Sequence, residues 1–360
     1  GRRVGVASNS HKAINNLLAE VEKVAQACGV AFQGIKKSSH EGQFLEGAGM
    51  IVDTTDNNSV RPDHQLVAGT AWLFARPDLD LAFDHLFVDE AGQVSLANIV
   101  AMGVCARNIV LVGDQMQLSQ PIQGVHPGGS GVSALDHLLA GEATVPPDRG
   151  IFLPVTQRMH PALCRFVSDA VYDGRLEADA SASVQRLHVD CADDPEALAP
   201  AGLRFAPVEH VGCAQRSPAE AARLASVYQK VLSAEWTNRQ GERRPVTCDD
   251  VLVVSPYNMQ VELLRKSLPD GARVGTVDKF QGQEAAVVLV SMATSSGEDL
   301  PRNIEFLFSR NRLNVAVSRA RCLAVIFASP RLLDVSCATI EQMELVNGLC
   351  WARQYSEMRR

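Results

Sequence analysis

A pair of adjacent carboxylates follows a short apolar run in the first half of the chain. Leu86 to Val88 leads directly into Asp89 and Glu90. The carboxyl ends of parallel strands face the ligand crevice of an α/β sheet, so both acids would project toward a bound nucleotide. Asp89 could hold Mg²⁺, directly or through water, and Glu90 could orient or activate an attacking water. The alternative, an acidic surface turn, is less expected directly after a buried strand.

A second apolar run is also followed by polar residues. Ile109 to Val112 leads into Gly113, and Gln117 lies in the same segment. A glycine in this position lets the backbone turn sharply after the strand. The Gln117 amide could report whether a γ-phosphate is present, or it could be an ordinary polar loop residue.

Arginines in the second half of the chain lie in locally uncharged surroundings. Arg158 is within Gln157 to Pro161, and Arg319 is within Asn314 to Arg321. Guanidinium groups that reach across a domain cleft neutralise the charge that develops on a transferring phosphoryl group. The alternative role is an ion pair with an acid of the first domain, which is favoured more for Arg321 than for Arg158 or Arg319.

Three further positions could contact a nucleotide or a nucleic acid. Glu284 precedes the apolar run Val287 to Val290 and could accept hydrogen bonds from a ribose hydroxyl. Thr276 could donate a hydrogen bond to a nucleic-acid phosphate. Tyr257 follows the apolar run Val251 to Val254 and could stack on a base. The residues alone favour a half-buried aromatic at a strand end for Tyr257.

Alternating strands and helices are expected to position these residues. Several short aliphatic runs predict buried parallel strands, because a strand covered by helices on both faces is continuously apolar. These runs are Val4 to Ala7, Leu86 to Val88, Ile109 to Val112, Val251 to Val254, Val287 to Val290 and Leu323 to Phe327. Asn15 to Ala27 has the apolar spacing of one helical face, and Ser217 to Glu220 is a capping box that opens a helix through about Leu232. The sequence therefore predicts an α/β fold.

Length and composition indicate a two-domain globular protein. A chain of 360 residues is too long for one compact core of ordinary size, and its 46% hydrophobic residues include no long uncharged apolar run. We therefore expect no membrane partner. The N-terminus has no export signal and the nine cysteines occur singly, which indicates a cytoplasmic protein with reduced thiols and argues against a zinc site.

The charge of the chain restricts how it could bind nucleic acid. A net charge of −7 is unusual for a protein that binds nucleic acid through bulk charge, so any such site must be a local groove. One basic concentration is visible, and its alternative interpretation is a solvated face. It consists of Arg302, Arg310, Arg312, Arg319 and Arg321.

Two loop-rich stretches interrupt the pattern of strands and helices. Gly141 to Gly150 contains adjacent prolines and predicts a connector, which gives domains at residues 1–148 and 149–360. Asp179 to Ala201 carries acids and prolines with little periodicity. We interpret this second stretch as a surface excursion inside the second domain.

Taken in order, these segments resemble the motifs of superfamily 1 nucleic-acid helicases, in the 5′-to-3′ branch that includes the nonsense-mediated-decay helicase and the replication-linked nuclease-helicases. The resemblance covers nearly the whole chain, and the matching segments occur in the family's order. They are Ser10 to Leu17 (motif Ia), Gly69 to Ala71 (motif Ic), Asp89 to Gln93 (motif II), Gly113 to Leu118 (motif III), Gln157 to Pro161 (motif IV), Gly275 to Glu284 (motif V) and Arg312 to Arg321 (motif VI).

The resemblance implies two RecA-like domains with parallel sheets. ATP and Mg²⁺ would bind between the domains, and one strand of nucleic acid would run across both. Asp89 and Glu90 would form the Walker B pair, with Asp89 at the metal, and Gln117 would sense the γ-phosphate. Hydrolysis would open and close the cleft, so that alternating grip by the two domains moves the strand in steps.

Further roles follow from the same resemblance. Arg158 and Arg319 would be the arginine fingers, and Glu284 would hold the ribose. Other residues expected to contact the nucleotide are Gly113, Gln157, Gln281 and Gly282. The nucleic-acid track would consist of Asn9, Ser10, Thr70, Pro256, Tyr257 and Thr276.

The sequence departs from the family pattern in three places. No Gly-Lys dipeptide occurs, so the GxxxxGK[ST] loop that cradles phosphates is absent, and the family places that loop before motif Ia. We therefore expect a first domain that is incomplete at its N-terminus, with an uncovered gap in its sheet, and a chain that does not turn over ATP alone. Gln157 stands where several relatives carry an aromatic that packs on adenine, which puts base discrimination in doubt. Little room remains between Val67 and Glu90 for accessory insertions, so duplex separation is not implied.

Three functions can be compared on this basis. The leading hypothesis is the motor of an ATP-dependent helicase or translocase, acting on single-stranded nucleic acid with DNA favoured over RNA. A possible nuclease domain would precede it, as in bacterial relatives. The alternative is a catalytically inactive module that binds a single strand. A small-molecule ATPase of the same fold is disfavoured, because the paired threonines Thr70 and Thr276 have a purpose only if a strand is held.

Overall fold

The computed structural model describes residues 1–45, 49–118, 124, 127–280 and 282–358. Contacts divide the chain into two units, Gly1–Glu142 and Ala143–Arg360. The division falls within the proline-containing connector, a few residues before the expected boundary. No helix in the described ranges is long and apolar enough to cross a membrane.

The first unit is built on one parallel sheet. Its strands in the described residues are β1 (Val4–Ala7), β2 (Gly34–Lys37), β3 (Ile51–Thr54), β4 (Leu66–Gly69), β5 (Phe83–Val88) and β6 (Ala106–Leu111). Its α-helices are α1 (His11–Ala27), α2 (Ala71–Phe74), α3 (Leu96–Gly103) and α4 (Ala134–Leu139). The strands lie in the order β3-β2-β4-β1-β5-β6, and each neighbouring pair is parallel.

Helix α1 covers one face of this sheet with its apolar side. Ile14 and Leu18 are fully buried, and they belong to one cluster with Val6 and Ala68 from the central strands. Burying a leucine or isoleucine side chain contributes about 1.5–3 kcal/mol relative to leaving it exposed. The predicted helix over Asn15 to Ala27 is confirmed, and it begins one turn earlier than expected.

The edge of the sheet at β6 is exposed, which corrects the expectation of a buried strand at Ile109 to Val112. The side chains of Ile109, Val110 and Val112 retain 40%, 36% and 44% of their accessible surface. The physical reason is that β6 pairs with β5 on one side only, within the described residues. The expected gap is not found inside the sheet, because each neighbouring pair of its described strands is hydrogen-bonded, and the sheet ends at β3 on one side and at β6 on the other.

The second unit contains a larger set of elements. Its strands in the described residues are β7 (Val155–Thr156), β8 (Glu177–Ala178), β9 (Arg186–His188), β10 (Gly202–Pro207), β11 (Glu235–Thr237), β12 (Arg243–Pro245), β13 (Val251–Val254), β14 (Arg273–Gly275), β15 (Ala285–Ser291) and β16 (Ala320–Ala328). Its α-helices are α5 (Pro161–Val171), α6 (Pro218–Leu232), α7 (Asn258–Ser267), α8 (Ile304–Leu307), α9 (Arg310–Ser318) and α10 (Ile340–Glu357). The main sheet is parallel in the order β10-β16-β15-β13-β14. The predicted α/β class is thus confirmed.

The core of the second unit forms where α6 and α7 cover this sheet. Leu224, Val227 and Tyr228 of α6 are fully buried against strand residues such as Leu289 and Phe327. The predicted helix start is confirmed, because the Ser217 hydroxyl accepts the Glu220 backbone N–H and Pro218 occupies the first turn. Such an N-cap contributes about 1 kcal/mol.

The stretch Asp179 to Ala201 is not the surface excursion that its composition suggested. Strand β9 lies inside it and pairs antiparallel with β11, which also pairs with β12. Leu187 and Leu198 are 1% and 2% exposed and join the core under α6. The reason for the error is that one buried side chain every few residues anchors the segment without producing a periodic pattern.

Candidate nucleotide and nucleic-acid site

The sheet register of unit 1 brings the ends of three strands together. Ala7 of β1 is paired with Gly69 of β4 on one side and with Val88 of β5 on the other. The backbone N–H of Asp89 continues this pairing and donates to the Ala7 carbonyl at 2.8 Å. The residues that follow these strands therefore share one edge of the sheet, which we call the carboxyl edge of unit 1.

The acidic pair lies on this edge in a costly conformation. Asp89 is partly buried, and this burial raises its pKa in spite of a hydrogen bond from the Glu90 backbone N–H. Glu90 adopts a left-handed backbone with φ of 55° and ψ of 41°, which costs a non-glycine residue roughly 1–2 kcal/mol. Strained residues of this kind concentrate at functional sites.

Two glycines allow the loops after β5 and β6 to pack against each other. A Cβ on Gly113 would lie 2.7 Å from the Ala91 backbone nitrogen, and a Cβ on Gly92 would lie 2.7 Å from the Asp114 carbonyl oxygen. The Ala91 N–H donates to the Val112 carbonyl at 2.9 Å. Gly113 is thus needed for close backbone approach, and not for the sharp turn that the sequence suggested.

Gln117 is held within the second loop. Its side-chain amide donates to the Asp114 carboxylate at 3.0 Å, and the same carboxylate accepts the Met116 N–H at 2.9 Å. Asp114 was not singled out in the sequence, although its three-residue spacing from Gln117 is typical of such local pairs. The carboxylate thus orients an amide beside the acidic edge.

The predicted nucleic-acid residues of unit 1 lie on the same edge. Asn9 is exposed and donates its side-chain N–H to the Gln93 carbonyl at 2.6 Å, which ties it to the loop after β5. Ser10 and Thr70 occupy the N-cap positions of α1 and α2, and neither side chain makes a capping hydrogen bond. The structure therefore brings Asn9, Ser10 and Thr70 to the strand ends that also carry Asp89.

The arginines of unit 2 converge on Glu284. The Arg158 Nε donates to one carboxylate oxygen of Glu284 at 2.5 Å, and the Arg321 Nη2 donates to the other at 2.5 Å. Burial raises the pKa of Glu284, but hydrogen bonds from Arg158 and Arg321 outweigh it and lower the pKa overall. The suggested ion pair is thus present for both arginines, and its acid belongs to their own unit.

Arg319 lies beside this cluster. It is 5% exposed, and its Nη1 donates to the Gln283 carbonyl at 3.2 Å. The Arg319 carbonyl in turn accepts the Ala285 N–H at 3.1 Å, where β15 begins. Arg158, Glu284, Arg319 and Arg321 are therefore grouped at the amino ends of β15 and β16.

The other predicted nucleotide contacts of unit 2 differ in their surroundings. The Gln157 side chain donates to the Asp179 carboxylate at 3.3 Å and accepts a hydrogen bond from Arg239. It therefore lies in a polar cluster with Asp179 and Arg239. Gly282 is exposed and has a left-handed φ of 72°. Gln281 lies outside the described residues.

Pro256, Tyr257 and Thr276 lie at the opposite edge of the unit 2 sheet. Val254 of β13 is paired with Gly275 of β14, so the residues after both strands share a carboxyl edge. Tyr257 does not fit base stacking, because only 4% of its surface is exposed. The same burial raises its pKa. Its ring packs against Phe306, with 5.6 Å between the ring centroids.

The residues present fit only part of an ATP and Mg²⁺ site. Mg²⁺ in nucleotide sites is held by one or two carboxylates together with phosphate oxygens and water, and Asp89 fits that need because it is partly buried without an arginine or lysine ion-paired to it within the described ranges. Those ranges contain no group of three or more His, Cys, Asp or Glu side chains that could hold a metal alone. No GxxxxGK[ST] segment occurs to cradle the phosphates.

Curated proteins with similar sequences are helicases and a nucleic-acid-binding protein. The chain is 28% identical over 250 residues to DNA polymerase alpha-associated DNA helicase A of Schizosaccharomyces pombe, covering 66% of this chain and 36% of that protein. It is 30% identical over 299 residues to RNA helicase Mov10l1 of Homo sapiens, covering 74% and 24%. It is 30% identical over 254 residues to DNA-binding protein SMUBP-2 of Rattus norvegicus, covering 66% and 24%. The matched regions thus span about a quarter to a third of each relative.

A family model supports the same assignment. Residues 132–331 match the model described as an AAA domain, which is more than half of the chain. Among solved structures, a complex of Arterivirus nonstructural protein 10 (helicase) with DNA is similar at a TM-score of 0.44 and 15% identity, covering 91% of this chain and 54% of that one. The chain therefore belongs to the AAA domain family and, within it, to the superfamily 1 helicases.

Proposed function

We propose that this chain is the motor part of an ATP-dependent helicase or translocase that steps along single-stranded nucleic acid. The observation that supports it best is the acidic edge of unit 1. There a partly buried Asp89 and a left-handed Glu90 leave a parallel strand beside the loop that holds Gln117. A merely structural sheet edge has no need of a carboxylate with a raised pKa or of backbone strain.

Each side chain of the acidic edge would have a distinct task. Asp89 would bind Mg²⁺ through its carboxylate, and Mg²⁺ would supply charge stabilisation to the phosphates of ATP. Glu90 would orient the attacking water and accept its proton at a carboxylate oxygen. Gln117 would contact the γ-phosphate with its amide, which Asp114 already orients.

Unit 2 would contribute positive charge to the same reaction. Arg158 and Arg319 would neutralise charge on the transferring phosphoryl group, and Glu284 would accept hydrogen bonds from ribose. Glu284 now holds Arg158 and Arg321, one on each carboxylate oxygen. We propose that nucleotide binding exchanges some of these hydrogen bonds for bonds to the ligand, which couples nucleotide binding to arginine position.

Helix α9 connects the two functional edges of unit 2. It begins at Arg310, beside the carboxyl edge, and ends at Ser318, whose carbonyl accepts a hydrogen bond from Arg158. At 1.5 Å per residue this short helix spans about 14 Å. A rigid helix of this kind would transmit movements of Arg158 at the amino edge of the sheet to nucleic-acid contacts at the carboxyl edge.

The proposal also covers the nucleic acid that the motor would follow, its location in the cell and a neighbouring domain. The relatives carry both DNA and RNA in their names. We propose single-stranded DNA as the preferred track and RNA as the alternative, in a cytoplasmic protein that could carry a nuclease domain before the motor. The exposed β6 edge could pair with a further parallel β-strand. In our proposal the GxxxxGK[ST] loop would follow that β-strand.

The test is ATP hydrolysis by a longer version that adds a GxxxxGK[ST] loop before residue 1, compared with its Glu90→Gln variant. We expect hydrolysis by the longer version, none by the 360-residue chain, and a loss of about 10²-fold or more in the variant. Full activity of the variant would remove Glu90 from the proposed role.

A second candidate function is a single-strand-binding module without catalysis. The missing phosphate loop favours it, because ATP cannot be cradled without those backbone N–H groups. Tight strand binding by the longer version together with no hydrolysis would establish this alternative.

A further inference from the structure

We propose that Arg302, Phe306 and Arg312 form a cationic contact for the phosphate backbone of single-stranded nucleic acid in unit 2, with Arg302 binding a phosphate. This inference rests on the proposed function and specifies how unit 2 grips the strand. We call these three residues, together with the supporting Tyr257, the Phe306 cluster.

The cluster is a stack of rings and guanidinium groups. The Arg302 guanidinium carbon lies 4.4 Å from the Phe306 ring centroid, and that of Arg312 lies 4.6 Å from it. The buried ring of Tyr257 packs against Phe306, with 5.6 Å between the ring centroids and an angle of 37° between the ring planes. Phe306 itself is only partly buried, so the stack reaches the surface.

The charge of the cluster is only partly neutralised. Arg312 forms an ion pair with Asp278 at 3.3 Å. Arg302 is exposed, and within the described residues no carboxylate lies within ion-pair distance of its guanidinium group. An arginine stacked on an aromatic ring keeps its N–H groups directed outward, where they match phosphate oxygens.

The structure also distinguishes the arginines of the basic concentration from one another. Arg319 is 5% exposed, and Arg321 is bound to Glu284. Arg310 is exposed but lies over no aromatic ring of the described residues, so Arg302 and Arg312 are the members that combine with an aromatic ring near the surface. The solvated-face interpretation does not explain why two of them stack on the same phenylalanine.

The position of the Phe306 cluster agrees with a binding site for a nucleic-acid strand. Tyr257 follows β13, and Asp278 lies two residues beyond Thr276, which follows β14. The cluster therefore adjoins Pro256 and Thr276, the unit 2 positions that were expected on the nucleic-acid track. It supplies the aromatic and cationic groups that Tyr257 cannot supply, since that ring is buried.

The test measures strand binding by the 360-residue chain, using fluorescence anisotropy of a labelled oligo-dT strand at several salt concentrations. Each phosphate contact to a single strand adds about 0.7 to the slope of log K against log salt. We expect Arg302→Gln to lower the slope by about 0.7 and to weaken binding about fivefold near 0.1 M salt. Phe306→Leu keeps the charge but removes its support, so we expect about two- to fivefold weaker binding with a nearly unchanged slope.

The matched control is Arg243→Gln, which removes an exposed arginine of β12 whose ion pair among the described residues is with Glu235 at the surface. It should leave both slope and affinity at the wild-type values. An Arg302→Gln variant with wild-type slope and affinity would overturn the inference while leaving the proposed function intact. Failure of the wild-type chain to bind any single strand, DNA or RNA, would overturn both.

Discussion

Asp89 is placed where its charge costs stability. Burial raises its pKa, so ionisation in the folded protein is less favourable than in the unfolded chain. For an acid with a raised folded pKa, stability is lost as the pH rises above the unfolded value, which is about 3.9 for aspartate. Such a group is retained for a task other than stability.

We therefore predict that Asp89→Asn increases the free energy of unfolding at neutral pH. The gain should shrink as the pH falls toward 4, because wild-type Asp89 then becomes neutral as well. Urea denaturation at several pH values measures this, and exposed Asp80→Asn is the control that should show no gain. A loss of stability in Asp89→Asn at neutral pH would contradict the account of this edge.

The two packed loops of the acidic edge give a second residue-scale prediction. Gly113→Ala would force a methyl group to 2.7 Å from a backbone nitrogen, which cannot move away like a side chain. We expect a loss of about 1–3 kcal/mol in the free energy of unfolding. Gly348→Ala, in the middle of α10, is the opposite control. Its Cβ would lie an ordinary 3.8 Å from Leu313, and alanine has the higher helix propensity, so the free energy of unfolding should rise by about 0.5–1 kcal/mol. Equal effects of both substitutions in urea denaturation would be inconsistent with close loop packing.

For single residues, the sequence predicts where a residue lies relative to a β-strand better than it predicts which side chains surround it. Asp89 and Glu90 were located correctly at a strand end, because the apolar run before them is local information. For Tyr257 the residues alone favoured a half-buried aromatic at a strand end, which is closer to its 4% exposure than base stacking is. Its contact with Phe306, which lies far along the chain, could not be predicted from a local pattern. The pairing of Arg158 with Glu284 was missed for the same reason.

At the scale of elements, a buried polar network fixes the start of α6 to the sheet. Glu220 is fully buried, and its carboxylate accepts hydrogen bonds from the Ser291 hydroxyl at 2.6 Å and the Ala293 N–H at 2.8 Å, and contacts the His210 ring at 2.9 Å. Ala293 has a left-handed φ of 66°, a conformation that these bonds help to hold. The network thus shapes the chain just after β15.

We predict that Glu220→Ala lowers the free energy of unfolding by about 3–5 kcal/mol, because its buried partners are left unsatisfied. Glu262→Ala on the exposed side of α7 should change it by less than about 0.5 kcal/mol. Thermal or urea denaturation of both variants provides the comparison. A small effect at Glu220 would show that water or other side chains replace the carboxylate.

The elements found from sequence are those with continuous apolar runs, such as β1, β13 and β15. Strand β2 was missed because Gly34–Lys37 contains two lysines, and only the structure shows that Lys36 is fully buried in an ion pair with Asp53 at 3.0 Å. Edge exposure was missed as well, since the apolar residues of β6 do not reveal that one side lacks a neighbour.

At the scale of the whole molecule, the chain combines the acidic edge and the arginines around Glu284 with a sequence that contains no GxxxxGK[ST] segment. Unit 1 holds the acidic edge, and unit 2 holds the arginines to which the proposed function gives a role. The chain spans about a quarter to a third of the length of the curated relatives it matches. We propose that ATP hydrolysis by this protein is coupled to binding of a nucleic-acid strand.

The most direct measurement is ATP hydrolysis by the longer version with the phosphate loop, with and without single-stranded DNA or RNA at matched low salt. We predict hydrolysis that a single strand stimulates, with DNA more effective than RNA. Hydrolysis that neither strand changes, or strand binding without any hydrolysis, would contradict the proposed motor.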